Sequence, residues 1–225
     1  MNRILAQGET LVKIEGITNL DDALCVVKAG ADAIGFVFAK SPRQVRPAQV
    51  RAITAQLPPE FITVGIFVNA SLDEVVSCAI TTGIKAIQLH GEETAEEAKE
   101  LARQLSLGEF DGQGWPRLTK AFRLRSEEDL APLGDYDAAE AFLIDAYVEG
   151  KAGGTGEKAD WGLAVRAKEF GKPVVLAGGL NPENVRSAIM QVRPFGVDVS
   201  SGVEAAPGKK DVAKIKEFIR QVREA

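Results

Sequence analysis

The 225-residue sequence predicts an α/β fold, a single-domain (β/α)8 barrel of the TIM-barrel class spanning residues 1–225. Eight short apolar runs alternate with segments of helical period. The runs read as apolar stretches without strict alternation, the pattern expected of parallel strands buried on both faces. No Pro/Ser-rich linker or change of composition divides the chain.

In order, the strand-like runs are residues 11–14, 33–38, 63–68, 86–89, 118–121, 141–144, 173–176 and 196–199. The amphipathic segments between them are clearest in the last, where Val212, Ile215, Phe218, Ile219 and Val222 form one stripe. Leu72, Val75, Val76 and Ala79 form another, as do Ala98, Leu101, Ala102 and Leu105. Asn19 before Leu20, and Asn181 before Pro182 and Glu183, read as helix starts just beyond strand ends. Eight such units suit a closed barrel; an open doubly wound sheet would have fewer strands, and no GxGxxG follows the first run. The glycine-rich stretch 106–116 is read as a helix-to-strand loop at the barrel bottom.

A formal charge of −5 and a pI near 5.2 argue against a nucleic-acid partner, which would call for a basic face. With two separated cysteines and one histidine, no metal site or disulfide is expected; Cys25 and Cys78 read as small hydrophobes on helices. The first ten residues lack a signal-peptide core and no run approaches a membrane span, so no membrane partner is expected and the sequence reads as cytoplasmic.

In a barrel the chemistry lies just past the carboxyl ends of the strands. Glu15 and Gly16 end the first run, Arg43 follows the second, His90 and Gly91 the fourth, and Asp145 the sixth. Gly178, Gly179, Leu180 and Asn181 follow the seventh, and Ser200, Ser201 and Gly202 the eighth. The glycines permit close backbone approach and the helix predicted near Pro182 offers free N–H groups, which together predict a phosphate site. The alternative is that they only form tight turns. Gly153, Gly154 and Gly156 read as a loop that closes over a ligand, or as a solvated linker. Arg43 is a bidentate carboxylate clamp or a surface charge. His90, without companions, is a poor metal ligand and reads as satisfied by a loop carbonyl.

Glu15 and Asp145 would stand across one barrel mouth, where burial and repulsion push their pKa values apart. One then gives a proton while the other takes one. That pairing suits an isomerase acting on a sugar phosphate without redox cofactor or nucleophile.

The segments VKIEGITNLDDAL, GADAIGFVFAKSPRQV, VGIFVN, IQLHGEE, AGGLNPENVRSAI and DVSSGVEAAPGKKD, in this order over nearly the full length, resemble the phosphoribosylanthranilate isomerases of tryptophan biosynthesis. The resemblance implies an Amadori rearrangement of an aminoaldose, phosphoribosylanthranilate, to the aminoketose carboxyphenylamino-deoxyribulose phosphate, with no cofactor and a monomer or homodimer. It implies Asp145 as general acid, Arg43 at the anthranilate carboxylate, and Gly178 to Asn181 with Ser200 to Gly202 as phosphate cradle. By position at the barrel mouth, Lys13, His90, Gly153 and Gly154 are also counted among the candidate substrate-binding residues.

The departure is at Glu15, where the family motif reads KICGIT and its cysteine is the general base. Cys25, on the first helix, is at another level of the barrel. One reading makes Glu15 the base, its pKa raised by Asp145 and the bound phosphate. The related barrel isomerase of histidine biosynthesis uses carboxylates at these two strand ends. The cost is repulsion from substrate phosphate and carboxylate, on the order of 3 kcal/mol each at about 5 Å and an effective ε of about 20. Lys13, pointing into the barrel, offsets part of it. A second reading is a binding-competent chain without an effective base; a third is retuning toward the histidine-pathway aminoaldose.

Overall fold

The computed structural model describes residues 9–107, 116–146 and 161–225. Gly153, Gly154, Gly156 and most of the stretch 106–116 lie outside the described residues. Eight strands, β1 (Leu11–Glu15), β2 (Ala33–Val37), β3 (Ile62–Phe67), β4 (Ala86–Leu89), β5 (Leu118–Arg123), β6 (Ala141–Asp145), β7 (Val174–Ala177) and β8 (Gly196–Val199), close into a parallel barrel in chain order. Barrel closure pairs β1 with β8, Lys13 opposite Asp198.

The two-residue side-chain period sorts each strand into two cores. Leu11, Ala33, Val64, Ala86, Leu143 and Val175 meet inside the barrel, while Val12, Ile14, Ile34, Phe36, Ile87 and Phe142 pack outward against helices. Lys13 and Asp198 share the inward set, which is why charges lie in the middle of apolar strands.

All eight predicted strands are present, with shifted ends. β1 and β6 run one residue further than predicted and include Glu15 and Asp145. Phe38 and Val68 fall outside their strands, and Val68 is 42% exposed. Pro173 has no N–H for the ladder but lends its carbonyl to Phe142 N at 3.0 Å.

The helices are α1 (Leu20–Ala29), α2 (Pro47–Thr54), α3 (Leu72–Thr82), α4 (Ala95–Leu107), α5 (Gly162–Ala167), α6 (Val185–Val192) and α7 (Val212–Arg223). Asn19 caps α1 by accepting from Asp22 N, and Ser71 with Glu74 forms a capping box on α3. The helical repeat fails between β5 and β6, where Glu127–Asp135 is 3-10 and contains Pro132, which cannot continue an α-helical ladder. A hairpin, β9 (Glu204–Ala206) and β10 (Lys209–Lys210), follows β8 and was not predicted. It docks on the β1–α1 turn: Thr18 Oγ1 donates to Gly208 O at 2.7 Å and Lys210 N to Asp22 Oδ2 at 3.0 Å.

Below the mouth, Arg223 at the end of α7 reaches back across the closure. It donates to Asp32 Oδ2 at 2.6 Å and to Thr10 O at 2.8 Å, and Asp32 Oδ2 also accepts from Val12 N. As predicted, Cys25 and Cys78 lie on helices, α1 and α3, and burial pushes the Cys78 thiol up to about 11. Among the described residues no helix is long and apolar enough to cross a membrane.

Candidate active site

Parity puts Lys13 and Glu15 on the inner face of β1, one above the other. Lys13 is fully buried; its Nζ lies 3.1 Å from Glu15 Oε2, 3.0 Å from Asp198 Oδ2 and 2.5 Å from Gln88 Oε1. Burial alone would discharge this ammonium, yet Asp198 and Glu15 hold its pKa above the ordinary value.

Glu15, with 15% of its side chain exposed, reaches the mouth. Burial opposes its ionisation, but Lys13 and hydrogen bonding from its neighbours outweigh that and bring it to about 2. The raised value the sequence suggested is therefore corrected. The acid in hydrogen-bonding contact with Glu15 is Asp198 on β8, and burial together with Glu15 drives the Asp198 carboxyl well upward. The two acids lie almost equally near Lys13 Nζ, at 3.1 and 3.0 Å, and differ in exposure, 15% for Glu15 and 5% for Asp198, so burial weighs more on the deeper one.

Gln88 ties this group to His90. Its Nε2 lies 2.9 Å from His90 Nδ1 and 3.3 Å from Glu15 Oε2. The predicted partner of His90, a loop carbonyl, is thus replaced by a side-chain amide. With Gln88 as donor, Nδ1 accepts and the ring N–H is on Nε2. Burial lowers the His90 pKa, so the ring is neutral at pH 7.

Asp145 ends β6 and lines, with His90, Phe122 and Arg123, a cavity of about 550 Å³ on the β4–β6 side of the mouth. Arg123 Nη2 stands 3.7 Å from its carboxylate. His90 is within electrostatic reach of both Asp145 and Glu15.

Arg43 crosses the mouth above Gly16, where a Cβ would lie 2.5 Å from Arg43 Cδ and 2.9 Å from Ser200 Oγ. It is not the open clamp the sequence suggested. Nε and Nη2 donate to the two carboxylate oxygens of Glu204 at 2.7 and 2.6 Å. Lys210 Nζ also contacts Glu204, at 3.1 Å. Burial opposes the charge on Glu204, but these cations keep it ionised below the ordinary value. Arg43 is thereby fixed in direction, with Nη1 the part left to meet a ligand.

Gly178 (φ 90) and Gly179 (φ 64) make a left-handed turn after β7. A Cβ on Gly202 would stand 1.9 Å from Leu180 O, so the two turns can touch only with glycine there. The helix after this turn begins later than the sequence suggested. α6 starts at Val185 instead of near Pro182; Asn181 accepts through Oδ1 from Glu183 N and Asn184 N, and Asn184 Oδ1 accepts from Asn181 N. Those amides are satisfied by side chains, which moves the candidate cradle to the turns 178–180 and 200–202. Ser200 Oγ is buried there with no hydrogen-bond partner among the described residues.

Gln88, Asp198, Glu204 and Lys210 escaped the sequence reading. For the first two a signal existed, since a polar residue inside an otherwise apolar strand marks an interior cluster.

The sequence from residue 12 to 221 matches the family model described as N-(5'-phosphoribosyl)anthranilate isomerase. The isomerase of that name from Pseudomonas fluorescens is 50% identical over 214 residues, 94% of this chain and 97% of its own length. That from Citrifermentans bemidjiense is 48% identical over 215 residues, 95% of this chain and 97% of its own. Among solved structures, phosphoribosyl anthranilate isomerase from Thermotoga maritima superimposes with a TM-score of 0.82 at 43% identity, covering 96% of this chain and all of that one. A structure of such an isomerase holding reduced 1-(o-carboxyphenylamino)-1-deoxyribulose 5-phosphate gives 0.82 at 41% identity, with 96% and 100% covered. With a match this long and this even along the barrel, the chain belongs to the N-(5'-phosphoribosyl)anthranilate isomerase family.

Proposed function

We propose that this chain catalyses the Amadori rearrangement of N-(5'-phosphoribosyl)anthranilate in tryptophan biosynthesis, with Asp145 as general acid and Glu15 as general base. The observation that carries the assignment of roles is the placement of the two acids at the carboxyl ends of β1 and β6, with neutral His90 in electrostatic reach of both. Asp145 gives a proton to the ribose ring oxygen; the C1'–O bond breaks and the anilino lone pair forms the iminium. Glu15 takes the C2' proton, and the electrons left behind form the C1'=C2' bond and neutralise the iminium. Ketonisation returns one proton to C1' and releases one from the enol hydroxyl, so both acids end as they began.

Arg43, aimed by Glu204, serves the anthranilate carboxylate. The turns 178–180 and 200–202, with the buried Ser200 hydroxyl, serve the phosphate. Lys13 balances the charge of Glu15, which reduces the repulsion a doubly anionic substrate meets. The fold and the family match favour this substrate, a small phosphorylated sugar.

Loss of phosphoribosylanthranilate fluorescence tests the assignment. The parent should turn over and Glu15→Gln should be slower by about a hundred to ten-thousandfold; equal rates would remove Glu15 as base. A second reading, ligand binding with little turnover, is favoured by the same ammonium, since a carboxylate near pKa 2 is a weak base. A silent parent beside an active Glu15→Cys would select it.

A further inference from the structure

Asp198 is 5% exposed and lies on the inner face of β8, opposite Lys13. Its Oδ2 accepts from Lys13 Nζ at 3.0 Å, but no donor among the described residues reaches its buried Oδ1. A buried carboxylate oxygen with no donor is costly, and this one belongs to an acid in hydrogen-bonding contact with a second acid, Glu15. Two carboxylates and one ammonium in this pocket would leave a net negative charge out of water. One bound proton makes the trio neutral and supplies the hydrogen that the contact between the two acids requires.

We infer that Asp198 rests as the neutral acid, donating its proton to Glu15, and acts as the positioning residue of the candidate base. Lys13 and Gln88 hold Glu15 Oε2 from below while the Asp198 hydroxyl fixes the carboxylate from the β8 side. Gln88 also receives Lys13 through its Oε1, so the base is held by three groups on three strands. The charged and titratable groups that bear on Glu15 are Lys13 on the same strand, Asp198 on β8, His90 after β4, Arg43 after β2 and Lys210 on β10. The remaining walls next to Asp198 are the apolar Val175 and Ala177 of β7. The mouth therefore presents a base without the second negative charge that two ionised acids would set against an anionic substrate.

The inference rests on the isomerase reading, but its first test does not use turnover. The side-chain carboxyl of Asp198, followed by carbon-13 NMR in the intact ligand-free protein, should keep the shift of a protonated acid at pH 7; an ordinary carboxylate shift would overturn the inference even in an active enzyme. A silent parent whose Asp198 is protonated would count against Glu15 as base and leave the proton assignment standing. Asp198→Asn mimics the neutral acid, accepting from Lys13 and donating to Glu15. Its kcat/KM should stay within about threefold of the parent with an unmoved acid limb, whereas Asp198→Ala should raise that limb. A loss of a hundredfold or more in a folded Asp198→Asn protein would show that Asp198 works as a carboxylate and refute the positioning role.

Discussion

Replacing Lys13 by Met takes away the ammonium that touches both Glu15 and Asp198 while keeping most of the side-chain volume. At 3.1 Å and an effective ε of about 20, the Lys13–Glu15 attraction is on the order of 5 kcal/mol. The fall of Glu15 from 4.5 to about 2 is what survives after burial has acted against it, roughly 3 kcal/mol. Without Lys13, burial, the strongest single influence on Glu15, favours the neutral acid and is opposed only by His90 and the hydrogen bond from Asp198, so the carboxyl moves above 4.5. The parent should lose no activity to protonation of Glu15 at any pH above about 4, whereas Lys13→Met should acquire an acid limb, falling about tenfold per pH unit below the new pKa. The assay is kcat/KM from fluorescence decay across that range, with circular dichroism to establish folding. Coincident acid limbs in parent and variant would refute the assignment of Glu15 as the base governed by Lys13.

Stability gives an independent reading with a definite sign. In the parent the depressed Glu15 contributes stability that is complete above about 4.5 and is lost as pH falls toward about 2. In the variant the raised carboxyl favours folding only below its unfolded value and loses that advantage as pH rises. The gap in melting temperature should therefore widen from pH 4.5 to 7, toward about 3–5 kcal/mol of destabilisation at neutral pH.

Two further substitutions test the binding half of the site. Gly202→Ala would push a methyl group against the Leu180 carbonyl, forcing the turns apart; KM and the inhibition constant of inorganic phosphate should both rise by about tenfold or more, and an unchanged phosphate constant would exclude the cradle. Glu204→Gln weakens the fork that aims Arg43, so KM should rise about tenfold while kcat stays within about twofold; a selective loss of kcat would place Arg43 in the chemical step instead.

The barrel was legible because parallel strands covered on both faces make short, predominantly apolar runs, and the eight stood out by that property even where Lys13, Gln88, Lys120 and Asp198 interrupt them. Their ends were less legible. Glu15 and Asp145 are polar yet continue the ladder, while Val68 is apolar yet turns out to solvent. Glu15, Arg43, His90 and the two glycine turns sit at the mouth side of the barrel where strand order predicts them, but their partners do not follow from local sequence. Arg43 meets a glutamate 161 residues away and Lys13 a glutamine 75 residues away, contacts created by barrel closure and invisible in any window. The predicted raised pKa of Glu15 failed for that reason: the sequence offered Asp145 as its neighbour, whereas register opposes Lys13 to Asp198. The helix near Pro182 failed for a local one, since Asn181 and Asn184 exchange backbone amides before α6 begins.

The Lys13–Asp198 contact joins the first strand made to the last. Until β8 arrives, Lys13 has no pocket that could hold it dry, so the emerging chain keeps it in water and the β1 edge stays open. β8 buries the charges and closes the mouth, and α7 behind it brings Arg223 to Asp32. A chain stopped short of β8 is thus an incomplete catalyst and an unsealed barrel at once, and proteolysis of such a species should begin at β1.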